Sequence, residues 1–319
     1  MANATLRRLV TEYAVDQEAW IDDLVNSSGI LQTAYAFPST HGSFHKYKKV
    51  TALPTSAFRA MGGTYTTQTV NEEAANLDLK LVGIAESEEK AICEEIGVSA
   101  YFKSQRPAII ESLGQKMAKG IVYGTNASYG DTNGITGWHE FADAHGSDYY
   151  TDGGGGSSTT SIFIVKYKPG QTGLVFNREW LSAGNLIQTT LVDGGKLVFE
   201  YGGSSGTVKP VYQALYETQM AFVAGSTKCI HAIVGVNASN CPTAAEINAA
   251  LDSVKYDANT YIYTSRMGRR TIWTLKDSNM YREGRAFDDI IESWNGVPVI
   301  VDDNISEAET LSNLPYGLS

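Results

Sequence analysis

Residues 44–81 read FHKYKKVTALPTSAFRAMGGTYTTQTVNEEAANLDLKL. The stretch opens on a strand-like run, Phe44 to Leu53, and closes on the alternation Leu77, Leu79, Leu81. Between them lie Pro54, Gly62, Gly63 and a threonine-rich tract, with no helical spacing of apolar residues. Connections longer than about 12–15 residues are uncommon unless functional or disordered. Phe58, Met61 and Tyr65 argue against disorder, since disordered segments are poor in such side chains. The expected structure is an extended ribbon over residues 44–84. An isolated two-stranded ribbon is marginal in water, so its support is expected from outside its own subunit.

Charge is split along this stretch. Thr40 to Val70 carries Lys46, Lys48, Lys49 and Arg59 and no acid, whereas Asn71 to Ile96 holds eight acids against Lys80 and Lys90. On a protruding ribbon such a split orients neighbours, although a solvated face is its commonest meaning. Lys46, Lys49, Phe58, Arg59, Met61 and Tyr65 are the candidate inter-subunit contacts.

On the N-terminal side, residues 1–43 read as an arm. Asp16 is placed to cap a short helix carrying Trp20, Ile21 and Leu24, stopped at Gly29. On the other side, the acidic stretch Glu86 to Ile96 has a helix-like pattern. A long helix then follows, with Ser104 as cap, Pro107 in the first turn and Ile109, Leu113, Met117 and Ile121 recurring every fourth residue up to Gly124. Tyr123 to Gly156 is rich in Gly, Asp, Asn and Ser and reads as exposed loop, ending in the tip Gly153 to Gly156.

The second half alternates strands with one clear helix. Ile162–Tyr167, Gly173–Phe176, Lys196–Tyr201, Cys229–Val236, Tyr261–Thr264, Ile290–Trp294 and Val297–Val301 read as strands, the last two joined by an Asn295-Gly296 turn. Tyr212 to Val223 matches both helical and strand periods. Thr243 with Glu246 forms a capping box ahead of the apolar face Ile247, Ala250, Leu251 and Val254. The fold class is α+β. The expected division is an arm over 1–43, the ribbon over 44–84, a long-helix region over 85–130, a glycine-rich middle over 131–207, and closing strands over 208–319.

Bulk properties narrow the function. The 319 residues are 43% hydrophobic and 19% charged, an ordinary globular composition. The formal net charge of −10 disfavours a protein that reads DNA with a basic face. Cys93, Cys229 and Cys241 make an odd count without metal-type spacing, as expected of free thiols in a reducing cytoplasm. The strongest apolar run, Ile230 to Val236, is interrupted by His231 and Gly235 and is too short to span a bilayer.

Catalytic and metal motifs are weak. Gly202-Gly203-Ser204-Ser205-Gly206 matches a nucleophile elbow, but Val208-Lys209-Pro210 does not start the helix that chemistry needs, and only His231 lies downstream. A glycine-serine turn is the competing reading of Ser204. His41 and His45 lack a third ligand. Asp131-Thr132-Asn133-Gly134 resembles a fragment of a calcium loop without its later bidentate acid, and reads as an Asx turn. No catalytic residue, metal or cofactor is expected. The five tryptophans read as core or interface anchors.

The order of segments resembles the major capsid proteins of tailed bacteriophages. The resemblance rests on Thr51-Ala52-Leu53-Pro54 through Phe58-Arg59-Ala60-Met61-Gly62, then Ile121-Val122-Tyr123-Gly124-Thr125-Asn126 and Gly134-Ile135-Thr136-Gly137. It continues through Ser161-Ile162-Phe163-Ile164-Val165, Tyr216-Glu217-Thr218 to Val236-Asn237, and Tyr261 to Arg266. Its close is Trp294-Asn295-Gly296-Val297-Pro298-Val299 to Ile305, with Glu309-Thr310. The stretch Glu86 to Ile96 departs from that pattern. The resemblance implies a Hong Kong 97-type fold with an extended loop at 44–84, a spine helix, and peripheral and axial domains. It implies a structural protein forming pentamers and hexamers of an icosahedral shell around double-stranded DNA, made and assembled in the bacterial cytoplasm. Scaffolding, portal and decoration proteins are the implied partners, with no membrane and no enzyme activity. An encapsulin-like nanocompartment shell is the alternative within that fold, and a serine hydrolase built on Ser204 is the alternative outside it.

Overall fold

The computed structural model describes residues 5–14, 17–52, 56, 58–65, 71–202, 207–275, 280–285 and 289–316. Helices α1 (Leu6–Tyr13), α2 (Glu18–Asn26) and α3 (Gly29–Thr33) precede the short strand β1 (Ala36–Pro38). Strands β2 (Phe44–Ala52) and β3 (Asn71–Asp78) pair with each other, and β4 (Lys80–Glu89), α4 (Lys90–Ile96) and the long α5 (Val98–Tyr123) follow. Next come α6 (Trp138–Ala144), β5 (Tyr150–Asp152), β6 (Thr160–Lys166), β7 (Thr172–Phe176), α7 (Arg178–Ser182), β8 (Gln188–Leu191) and β9 (Val198–Gly202). The long β10 (Thr207–Ala224), β11 (Ile230–Val236), α8 (Ala244–Val254), β12 (Thr260–Thr264), α9 (Arg266–Thr274), β13 (Met280–Arg285), β14 (Asp289–Trp294) and β15 (Val297–Val301) complete the order.

Among the described residues three sheets result: a six-stranded one centred on β10, a seven-stranded one in the order β13-β14-β15-β12-β6-β11-β5, and the separate pair β2-β3. The main core brings together α1–α3, α5, α6 and faces of both large sheets, with Trp138, Phe163, Phe222 and Tyr263 at its centre. A second core lies where α8 and α9 cover the seven-stranded sheet, joining Ile162, Ile247, Leu251, Ile272 and Trp294.

Several elements form as their local sequence dictates. The α8 cap is the expected box, with Thr243 Oγ1 accepting from Glu246 N at 3.2 Å and Glu246 accepting from Thr243 N at 2.7 Å. Ile247, Ala250, Leu251 and Val254 are buried as a face. The β14–β15 turn places Asn295 and Gly296 at φ +50° and +78°, the left-handed pair that a tight hairpin requires. The ambiguous 212–223 segment is strand. Its side chains alternate in burial through Ala214, Tyr216, Thr218 and Met220, and it is flanked by β4 on one edge and β7, β8 and β9 on the other.

Elsewhere tertiary contacts override local signals. Residues 5–34 do not stand off as an arm: Leu6, Leu9, Ile21, Leu24, Ile30 and Leu31 are buried in the main core. Asp16 lies outside the described residues, and Gln17 occupies the α2 N-cap. Gly114 makes the close contact of α2 with α5 possible, because a Cβ there would lie 2.1 Å from Ser27 Oγ and 2.9 Å from Leu24 O. Helix α5 starts at Val98, six residues before Ser104, so Pro107 sits inside it and leaves the exposed Lys103 carbonyl without its usual donor. Glu86 to Glu89 is strand, held by pairing with β10 residues 211–214, and only Lys90–Ile96 is helical.

The region 123–156 is not all loop. Trp138 and His139 of α6 are buried, and β5 joins the edge of the seven-stranded sheet. The glycine run is fastened as well: Gly153 N donates to Val234 O at 2.7 Å and Gly155 N to Gly235 O at 2.9 Å. Gly155 is buried, so the segment is a strap with exposed Gly154 and Gly156, not a free tip.

Two buried carboxylates tie the ends together. Asp302 accepts from Ser28 Oγ, from Ile30 N at 2.9 Å and from Asn304 N at 2.8 Å. Glu309 accepts from Tyr123 Oη at 2.5 Å and Ser161 Oγ at 2.6 Å, with His139 Nε2 at 4.0 Å.

Candidate assembly interface

The ribbon is rooted by its own aromatic residues. His45 is buried between Phe37, at 5.5 Å edge-on, and Tyr47, stacked at 6.3 Å. Burial lowers the pKa of its imidazole from the ordinary histidine value. Phe37, Tyr47 and Leu77 cap a small apolar cluster of Leu79, Val175, Ala221 and Val223. This cluster fixes the ribbon base to the six-stranded sheet.

Beyond the base, β2 and β3 run antiparallel from Phe44↔Asp78 to Val50↔Glu72, with an irregularity before Ala52↔Asn71. The return strand therefore begins at Asn71, earlier than the leucine alternation indicated, and Leu79 separates it from β4. From Lys80 onward the chain belongs to the six-stranded sheet, so the paired ribbon ends short of residue 84. Residues 71–76, NEEAAN, have little intrinsic strand preference and adopt it by pairing.

The candidate contact residues occupy two zones. Lys46 lies near the base, with its ammonium 5.6 Å from the centre of the Phe44 ring and its backbone N–H donating to Thr40 Oγ1 at 2.7 Å. Lys49 sits opposite Glu73 in the ladder, and its side chain is outside the described residues. The other four are at the tip. Phe58 and Met61 are 108% and 105% exposed, and Tyr65 is 67% exposed. Arg59 donates to Gly63 O at 2.6 Å and lies 4.8 Å from the centre of the Tyr65 ring, which gives the tip local order. Contiguous exposed apolar patches are uncommon on monomers, and these large side chains are exposed at the tip.

Sequence reasoning missed a second exposed group. Leu81, Ile92, Ile96 and Phe199 are 58%, 43%, 58% and 57% exposed. Ile92 and Ile96 were available to periodicity, but the surrounding glutamates hid them.

Among the described residues the metal candidates are not assembled into a site. Ser204 lies outside the described residues. His231 bonds two hydroxyls, Thr151 Oγ1 at 3.0 Å and Ser253 Oγ at 2.8 Å, and burial pushes its pKa down to about 4. Among the described residues no cluster of three or more His, Cys, Asp or Glu has metal-binding geometry. Asp131 forms the expected Asx turn, accepting from Asn133 N at 3.1 Å, and pairs with Lys116 at 2.8 Å. Cys93, Cys229 and Cys241 are free thiols. Among the described residues no helix is long and apolar enough to cross a membrane.

Comparison with known proteins agrees with the ribbon-bearing architecture. The fold is similar to a chain of bacteriophage Epsilon15 solved by cryo-EM, with a TM-score of 0.59 and 15% identity over 86% of each chain. A chain of Mycobacterium phage Adephagia matches at a TM-score of 0.43 and 10% identity, over 65% of this chain and 89% of its own. No curated protein matches. The fold is of the Hong Kong 97 type, and the sequence matches the family major capsid protein GP7 over residues 16–311. The chain belongs to that major capsid protein family and is a structural component of a phage capsid shell, not an enzyme.

Proposed function

We propose that this chain self-assembles as hexamers and pentamers of an icosahedral shell in which the extended stretch over residues 44–84, whose paired part is the β2–β3 ribbon, is the inter-subunit loop. In this reading α5 is the spine helix of a peripheral region spanning 85–130, and 131–207 and 208–319 supply the remaining peripheral and axial elements. The shell encloses double-stranded DNA without reading its sequence, which suits a chain of net charge −10. Assembly takes place in the host bacterial cytoplasm, with a scaffolding protein, a portal at one vertex and room for a decoration protein outside. The observation that carries the reading is the ribbon tip, where Phe58 and Met61 are fully exposed among the described residues.

The test replaces Leu53 to Val70 by a short Gly-Ser bridge in the expressed full chain. The variant is expected to remain folded by circular dichroism, because the ribbon base at Tyr47 and Leu77 stays intact. Negative-stain micrographs should show closed shells for the native chain and none for the variant. Closed shells from the variant would sink the reading.

A further inference from the structure

The proposed docking of the ribbon requires a receiving surface, and α4 has the matching character. Ile92 and Ile96, four residues apart, lie on one face of this helix, and both are exposed. Cys93 is the buried residue of α4, and the apolar pair is left 43% and 58% exposed among the described residues. Acids surround it. Glu94 is engaged by Lys90 at 3.8 Å and by the Tyr212 hydroxyl at 3.2 Å. Glu89 lies 4.0 Å from Lys209. Glu95, three residues from Ile92, is exposed, and no ion pair engages it among the described residues.

The ribbon tip is the complement of this surface. It carries exposed Phe58 and Met61 beside the cation of Arg59, which its bond to Gly63 O holds in place. Tip and α4 sit at the two ends of a run of extended chain made of β3, Leu79 and β4. At about 3.3 Å per residue that run spans up to ~60 Å, and the complete exposure of Phe58 and Met61 shows that the tip does not reach its own α4.

We propose that the ribbon tip of one copy docks on the α4 ridge of a second copy, with Phe58 and Met61 covering Ile92 and Ile96 and Arg59 facing Glu95. This assignment rests on the reading of the ribbon as an inter-subunit loop. The two surfaces are unlike, so the contact is heterologous and repeats head to tail until a ring closes.

The test uses the full chain with Arg59→Glu, Glu95→Arg and the double reversal, assembled at low salt. Each single reversal is expected to lower the yield of closed particles by about tenfold, and the double to restore it to within about threefold of native. Both positions are exposed, so thermal unfolding of the unassembled subunit should stay unchanged and exclude misfolding. Ile92→Asp should likewise reduce closure without changing unfolding. Native yield from Glu95→Arg and from Ile92→Asp would overturn the proposal. Hydrogen exchange separates the two layers of inference. A ribbon protected in particles while residues 90–96 stay unprotected would overturn the α4 assignment and leave the ribbon reading standing. An unprotected ribbon would overturn the ribbon reading itself. Protection of both in particles, and of neither in free subunits, is the expected result.

Discussion

At the scale of single residues, Glu309 couples the stability of the fold to pH. Burial raises its carboxyl pKa from 4.5 to about 7, against the opposing hydrogen bonds from Ser161 and Tyr123. The proton bound in the folded state therefore adds stability that is fully present below about pH 4.5 and is lost as pH rises through about 7. That difference amounts to about 3 kcal/mol. His139 acts in the opposite direction: burial lowers its pKa to about 3, so its contribution is present above pH 6.5 and lost on acidification. At 4.0 Å the two are no ion pair, since both rest neutral between those values. Glu309→Gln isolates the carboxyl. The melting temperature of the variant, relative to the native subunit, should climb from about pH 4.5 to about pH 7 and then level off. A difference that is flat with pH would show that the Glu309 proton does not couple to folding.

At the scale of elements, α8 and the glycine strap offer quantitative checks. Leu251 is 0% exposed in the core under the seven-stranded sheet, so Leu251→Ala should cost about 2–5 kcal/mol in urea unfolding of the unassembled subunit. Thr243→Ala removes the cap hydroxyl and should cost about 1 kcal/mol in the same measurement. In the strap, a Cβ on Gly155 would come 2.4 Å from Gly235 O, whereas one on Gly156 meets nothing within 4 Å. Gly155→Ala should therefore lose about 1–3 kcal/mol while Gly156→Ala is close to neutral. Equal stability of the two variants would mean that the strap is not fastened to β11.

At the scale of the whole molecule, the subunit is folded around its own cores and leaves its ribbon tip exposed. Two large clusters hold the body, and the small cluster at the ribbon base ends at Tyr47 and Leu77. Each copy in a closed shell is held by several partners, so a modest contact repeated many times decides closure. The charged part of that contact is exposed and screened within about 10 Å at 0.1 M salt. Arg59→Glu should thus slow assembly most at low ionic strength, with the gap to the native chain narrowing as salt is added. Light scattering during assembly measures both rates, and a salt-independent gap would show that Arg59 acts through packing and not through charge.

The sequence by itself determined the elements whose signal is local. Helix α8 carries its cap and its apolar face within twelve residues, from Thr243 to Val254, and the Asn295-Gly296 hairpin carries its turn geometry in two. The ribbon was legible for a related reason, as aromatic and apolar residues in a segment with neither helical period nor core partner. Tertiary structure decided what depends on distant neighbours. Glu86–Glu89 is strand because β10 supplies its hydrogen bonds, and Val98–Lys103 is helix because Phe102 is drawn into the main core. Residues 5–34 pack inward because α5 has a glycine at the crossing with α2. The Glu309 cluster joins residues 123, 139, 161 and 309, which share no local pattern. Periodicity reports which face of an element is apolar; only the folded chain sets which other element that face meets.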